Sequence, residues 1–143
     1  MLSKDILQSL LDEGLQTGAE FAEIFFEDTN QSSIRVTSGD VTNASFNNIH
    51  GAGVRLMVGT DVVYGYTNDV SESSIRKLMI QLRASFNGSP NKAKPLGEAK
   101  PFTYTIKKPM KDVTQQEKAD KLVTLSNIIK GHDERIVQAI SML

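Results

Sequence analysis

Residues 54 to 67, VRLMVGTDVVYGYT, constrain this chain more tightly than any other stretch. Val54, Leu56 and Val58 alternate with Arg55 and Met57, the period of a β-strand. Gly59-Thr60 comes next, a Gly-X pair suited to a two-residue type II′ hairpin turn, and Val62-Val63-Tyr64-Gly65-Tyr66-Thr67 is a second β-rich run. So short a turn leaves no freedom of register. Met57 must lie opposite Val62, Arg55 opposite Tyr64 and Gly53 opposite Tyr66, with Val54, Leu56, Val58 and Val63 on the other face. Both faces are then substantially apolar, whereas a half-solvated antiparallel sheet presents a polar face to water. Helices can cover one side. Met57, Val62, Tyr64 and Tyr66 form a candidate interface on the other, open to three occupants: a folded-back linker, a further part of the chain, or a partner subunit.

Gly51-Ala52-Gly53, just upstream, raises a nucleotide-binding reading that the neighbouring residues oppose. A dinucleotide loop needs a third glycine three residues after the second, and a helix opening there to meet the pyrophosphate. Position 56 is Leu56, and Val54 to Val58 alternate like a strand. The two glycines are read as the start of the hairpin.

The flanking sequence predicts an α+β domain with an antiparallel sheet of about five strands over residues 19–67. Ser3 is a plausible N-cap for a helix near 3–17, in which Leu7, Leu10, Leu11 and Leu15 repeat at helical spacing. Ala22, Ile24 and Phe26 then alternate with Glu23, Phe25 and Glu27, Asp28 to Gln31 reads as a turn, and Ser33 to Thr37 returns. Ser38-Gly39-Asp40 is the next turn, before a weaker, Asn-rich strand over Val41 to Ile49. The short connections favour antiparallel neighbours. A helix over 72–86, capped by Asp69 or Ser71, carries the apolar stripe Ile75, Leu78, Met79, Leu82, Phe86, with Arg76, Lys77 and Arg83 on a solvated face.

The segmentation expected from this pattern is a single domain over 1–143. Residues 1–88 supply helix, sheet and helix, 89–113 an irregular linker, and 114–143 a helix and final strand. The linker holds all four prolines, with Phe102 to Ile106 as a candidate short edge strand. Thr114-Gln115-Gln116-Glu117 is a capping box that opens a helix over 115–130, with Gly131 as its C′ residue. Arg135 to Leu143 reads as a strand with Ile136, Gln138, Ile140 and Met142 on one side. The sequence stops inside that run, and the expectation is a piece truncated from a longer polypeptide, its bare edge and apolar patch favouring weak self-association.

Composition narrows the chemistry. A net charge of −1, with 23% charged residues, lacks the basic excess that holds a nucleic-acid backbone. There is no cysteine, and no apolar run approaches the roughly 18 to 20 residues needed to span a bilayer. No signal peptide is legible, so a cytoplasmic location and no membrane partner are expected. His50 and His132 are the only histidines. His132-Asp133-Glu134 lacks the second histidine of a helical zinc motif and is read as a helix C-terminus, and His50 as a residue of a strand-to-strand turn. Asp61, Asp69 and Glu72 fit turn and cap chemistry. No catalytic or metal-ligating residue is assigned.

The order of elements resembles the N-terminal domain of the TldD/PmbA family. The resemblance rests on GAEFAEIFFE at 18–27, the Gly-x-Gly-Val-Arg strand at 51–55, Tyr66-Thr67-Asn68-Asp69 ahead of a Ser-capped helix, and the later MKDVTQQEKADKL and DERIVQAISML. It covers nearly the whole chain through an extended pattern, and it leans toward the TldD side. The resemblance implies a cytoplasmic zinc metallopeptidase that pairs in TldD–PmbA assemblies, processes peptides and is linked to modulation of DNA gyrase. Its zinc ligands, an H-E-x-x-x-H motif and a later cysteine, have no counterpart here. The implied role is a non-catalytic N-terminal domain without a cofactor of its own, its partners being the rest of its chain, a PmbA/TldD-type subunit and a peptide substrate. The alternative is a stand-alone protein-binding module.

Overall fold

The computed structural model describes residues 2–98, 100 and 102–143. Helix α1 (Lys4–Gly14) precedes three strands, β1 (Phe21–Thr37), β2 (Asp40–Val58) and β3 (Asp61–Thr67). Helix α2 (Glu72–Arg83), a short 3-10 turn (Met110–Asp112), helix α3 (Gln115–His132) and strand β4 (Ile140–Met142) complete the order. The α+β class with its antiparallel sheet is borne out, and the sheet has four strands in the order β3-β2-β1-β4.

Two of the expected strands merge with their neighbours. β1 runs unbroken through Asp28 to Gln31, where a turn was expected, and β2 runs unbroken through His50. Asp, Asn and Gln favour turns by bonding their own backbone, a local preference that a paired ribbon overrides. Asn48 Nδ2 donates to Asn30 Oδ1 at 3.0 Å across that ribbon. His50 is therefore a strand residue, its Nδ1 3.8 Å from Asp28 Oδ2.

The hairpin turns obey the backbone demands of their residues. Gly59 takes φ +55° while Thr60 does not turn positive, as the first position of a type II′ turn requires. Ser38 and Gly39, at φ +52° and +97°, join β1 to β2.

The chain divides into two compact units, Met1–Thr29 with Ile49–Lys100, and Asn30–Asn48 with Pro101–Leu143. In the first, Leu10 and Leu15, with Ile75 and Met79 of α2, pack on Ala52, Val54 and Leu56, all at most 4% exposed. Ala22, Ile24, Phe26, Val58 and Val63 extend this core from the same sheet face. Ser3 accepts from Ile6 N–H and caps α1, and Ser71 accepts from Ser74 N–H and caps α2. Asp69 accepts from Ser71 N–H at 2.9 Å and from Ser74 Oγ at 2.6 Å. Those bonds, Ser74 first, hold its carboxyl below the usual carboxylate range.

Arg76 and Arg83 are not a solvated face. Both bridge to Glu13 on α1, and Arg76 also reaches Ser9 and Glu72. Side chains 25–30% exposed make this a partly desolvated network pinning α1 to α2.

In the second unit Ile34 and Val36 pack against Leu122, with Ala119 and Val123 beside them. β4 pairs antiparallel with β1, Arg35 with Met142 and Thr37 with Ile140. The expected last strand is shorter, and its buried side carries Ala139 and Ser141 while Ile140 and Met142, on the other side, are half exposed. α3 packs on β4, and the two small side chains admit its close approach. Phe102 to Ile106 forms no strand and is exposed. The helix continues through Gly131 to His132, which ends its last turn.

The capping box at α3 has both halves. Glu117 N–H donates to Thr114 Oγ1 at 3.1 Å, and Thr114 N–H donates to the Glu117 carboxylate at 2.7 Å. The Thr114 backbone bond, then its hydroxyl, then Lys108 and Lys121 lower the Glu117 pKa from 4.5. A depressed folded value means a stabilising contribution that is complete above the unfolded pKa and lost as pH falls through the folded one. Lowering the pH below 4.5 should therefore reduce the urea midpoint of the native chain more than that of Glu117→Gln. Parallel pH profiles for the two would show that ionisation of Glu117 contributes nothing to stability.

Candidate functional site

The register expected of the hairpin is the register found: Met57 pairs with Val62, Arg55 with Tyr64 and Gly53 with Tyr66. One face of the hairpin builds the first unit's core, so the residues between must point the other way. The four candidate interface residues share that outer face. Met57 is half-buried, and Val62, Tyr64 and Tyr66 are 50%, 61% and 75% exposed.

β1 adds residues that the hairpin reading missed. Its period places Phe21, Glu23, Phe25 and Glu27 opposite the partly buried Ala22, Ile24 and Phe26, and Phe21 and Phe25 stand about half exposed. The signal was present in the alternation of Phe and Glu, which reads as a mixed face until β1 is placed beside β2. Arg55 reaches Glu23 at 2.6 Å, and its guanidinium carbon lies 5.7 Å from the Phe21 ring centroid. That ion pair is about half exposed and contributes little stability. It positions Arg55 along the aromatic row.

The glycines of the opening stretch form the floor of this face. Phe25, Tyr64 and Tyr66 wall a recess of about 170 Å³ over Gly51 and Gly53. A Cβ on Gly53 would sit 2.6 Å from the Tyr64 hydroxyl oxygen, so Tyr64 lies across β2 because no side chain stands there. A Cβ on Gly51 would meet the Thr67 carbonyl oxygen at 2.6 Å, a backbone atom. The recess combines aromatic walls with the polar side chains of Glu27, His50, Thr67 and Asn68. Its shape suits a docked side chain or backbone segment.

Among the described residues no group of three or more His, Asp or Glu side chains converges. His50 neighbours Asp28, and His132 closes α3, so neither histidine stands in a ligand cluster. Asp133, next to His132, is bound by the Arg135 side chain and backbone N–H, which lower its pKa. Among the described residues no helix is long and apolar enough to cross a membrane.

Similarity to known proteins is found at the level of a family model, a curated relative and a solved structure. The family described as PmbA/TldA metallopeptidase domain 1 matches residues 22–85, the span from β1 through α2. A protein of Buchnera aphidicola subsp. Schizaphis graminum named Metalloprotease TldD homolog is 25% identical over 132 residues. That match covers 91% of this chain and 27% of the relative. A crystal structure from Bacteroides thetaiotaomicron, named as a candidate modulator of DNA gyrase, superposes with a TM-score of 0.64 at 17% identity. It covers 97% of this chain and 33% of that one, and at such identity it speaks for the fold alone. The chain thus spans about a third or less of the length of these relatives.

The glycine floor distinguishes its two positions by experiment. Gly51→Ala forces a methyl group against the Thr67 carbonyl and should destabilise by about 1–3 kcal/mol, the usual range for overpacking. Gly53→Ala meets only the far end of Tyr64, which can swing outward, so its cost should be the smaller. Urea denaturation gives both values, and the Tyr64 ring resonances should move in Gly53→Ala. An unmoved Tyr64 ring, or a larger cost at Gly53, would contradict this packing.

Proposed function

We propose, from the premise that residues 22–85 are domain 1 of the PmbA/TldD family, that this chain is the non-catalytic N-terminal domain of a metal-dependent peptidase. Its outer sheet face docks against the catalytic remainder of that enzyme and helps enclose a peptide substrate. The observation that carries the reading is the aromatic outer face. Helices bury one side of the first unit's sheet, while Phe25, Tyr64 and Tyr66 line the other side over a floor of glycine.

The zinc of such an enzyme would be bound outside these residues. In this chain there is no cysteine and only two histidines, and the donor set that zinc prefers is not assembled among the described residues. No step of peptide hydrolysis is assigned to a residue of this chain. A PmbA/TldD-type partner subunit, a cytoplasmic location, and a link to DNA gyrase of the kind named for the Bacteroides relative belong to the same proposal. The near-neutral net charge supports contact with protein in preference to direct binding of nucleic acid. A stand-alone binding module would use the same face, and the exposed Tyr pair favours that reading equally until a partner is found.

Two measurements test the proposal. Calorimetric titration of the metal-free chain should reveal no stoichiometric zinc site, and one tight site would overturn the non-catalytic assignment. Within the full-length parent, hydroxyl-radical footprinting should show Tyr64 and Tyr66 protected relative to the isolated chain. Tyr64→Lys and Tyr66→Lys should each weaken docking by about 2 kcal/mol, as central aromatic anchors do. Equal reactivity of the tyrosines in both contexts would remove the docking role.

A further inference from the structure

We propose that the pocket beside Lys118, in the second compact unit, binds a small aliphatic carboxylate: an anionic head with a short apolar tail. Lys118 sits on α3 and is only 8% exposed. Among the described residues its Nζ reaches Ser32 Oγ at 3.5 Å, the outer limit for a hydrogen bond, and Ser32 lines an adjoining cavity that shares Met110, Val113 and Lys118 with the pocket. Among the described residues no carboxylate comes within ion-pairing distance of it. An ammonium group has three donors, and burying it with one weak acceptor is unfavourable. A ligand carboxylate placed at Nζ removes that deficit.

The surroundings of Lys118 select the ligand. It borders a pocket of about 290 Å³, with Met110, Val113 and Leu122 among the walls and Lys108 and Lys121 also lining it. That volume lies at the lower end of small-molecule sites, which run from about 300 to 1,000 Å³. Glu117 is the carboxylate that faces Lys108 and Lys121, and Thr114 already occupies it. Lys108, Lys118 and Lys121 are the charged side chains that line the pocket, with Leu143 beside them. A positive rim favours an anion, and the apolar walls favour a hydrocarbon tail over a fully hydrated ion such as phosphate. None of these residues takes part in the aromatic recess of the first unit, so the site stands independently of the peptidase reading.

Titrating the 143-residue chain with octanoate, octanol and acetate, monitored by amide chemical shifts, separates the contributions of head and tail. Octanoate should shift Val113, Lys118 and Leu122 and bind at least about tenfold more tightly than octanol or acetate, as a charge-assisted hydrogen bond predicts. Lys118→Met keeps the length and apolar body of the side chain and should erase the preference for octanoate over octanol. Lys121→Gln, at an exposed position, should weaken octanoate severalfold, and it carries the same test should Lys118→Met not fold. Equal binding of octanoate and octanol, shifts confined to other residues, or undiminished octanoate affinity in these variants would overturn the proposal.

Discussion

The parity of the first unit's sheet rests on a two-residue turn. With Gly59 at φ +55°, Val58 faces Asp61, and every pair back to Ala52 and Thr67 is then determined. A slip of one residue would send Val54 and Leu56 outward and bring Arg55 and Met57 onto α1 and α2. Val54 and Leu56 are fully buried, so such a slip would exchange two large apolar side chains for a charge that finds no partner there. The turn and the core therefore specify one another. The same parity leaves Tyr64 and Tyr66 facing outward, and the candidate docking face is a direct consequence of the register that builds the core.

Helix attachment in the first unit depends on a second kind of contact, between charges. Glu13 of α1 binds both Arg76 and Arg83 of α2, which flank Ile75 and Met79 where these enter the core. Apolar packing sets the distance between these helices, and the two bridges restrict how one helix can rotate on the other. Partly buried ion pairs of this kind specify geometry more reliably than they add stability. In the second unit, among the described residues, α3 has no such bridge. Its position is held by Leu122 against Ile34 and Val36, and by Gly39 N–H donating to Ser126 Oγ at 3.0 Å. Lys118 lies at the edge of that small core, which explains how a lysine comes to be buried without a counter-charge.

What the sequence disclosed was local, and what it concealed was decided by partners distant along the chain. Turn chemistry at Gly59-Thr60, the Ser3 and Ser71 caps and the Thr114–Glu117 box depend on neighbours a few residues away, and all are legible as spacing. The continuity of β1 through Asp28 to Gln31 is not, because residues that favour turns in isolation yield to the strand opposite. Arg76 and Arg83 looked solvated because Glu13 is more than sixty residues away. The parity of β4 could not be read from its larger side chains, since α3 selects the small ones, Ala139 and Ser141, for the buried side. Lys118 gave no sign at all, for a lysine near a helix start is ordinarily solvated.

Gly51 and Gly53 show how one sequence feature can suggest the wrong chemistry and still mark the site. A pair of glycines one residue apart invites a phosphate, yet a phosphate loop works by presenting backbone N–H groups at the start of a helix. Here those groups belong to a strand paired with β3, and the absent side chains serve the face instead. Without a Cβ at 53, Tyr64 can lie flat over β2, and without one at 51, the strand can close on the Thr67 carbonyl. The result is a shallow floor between aromatic walls, shaped to receive groups projecting from another surface. Such a floor gains stabilisation when apolar surface is laid on it, the property on which the proposed docking role rests. In this strand the two glycines supply shape.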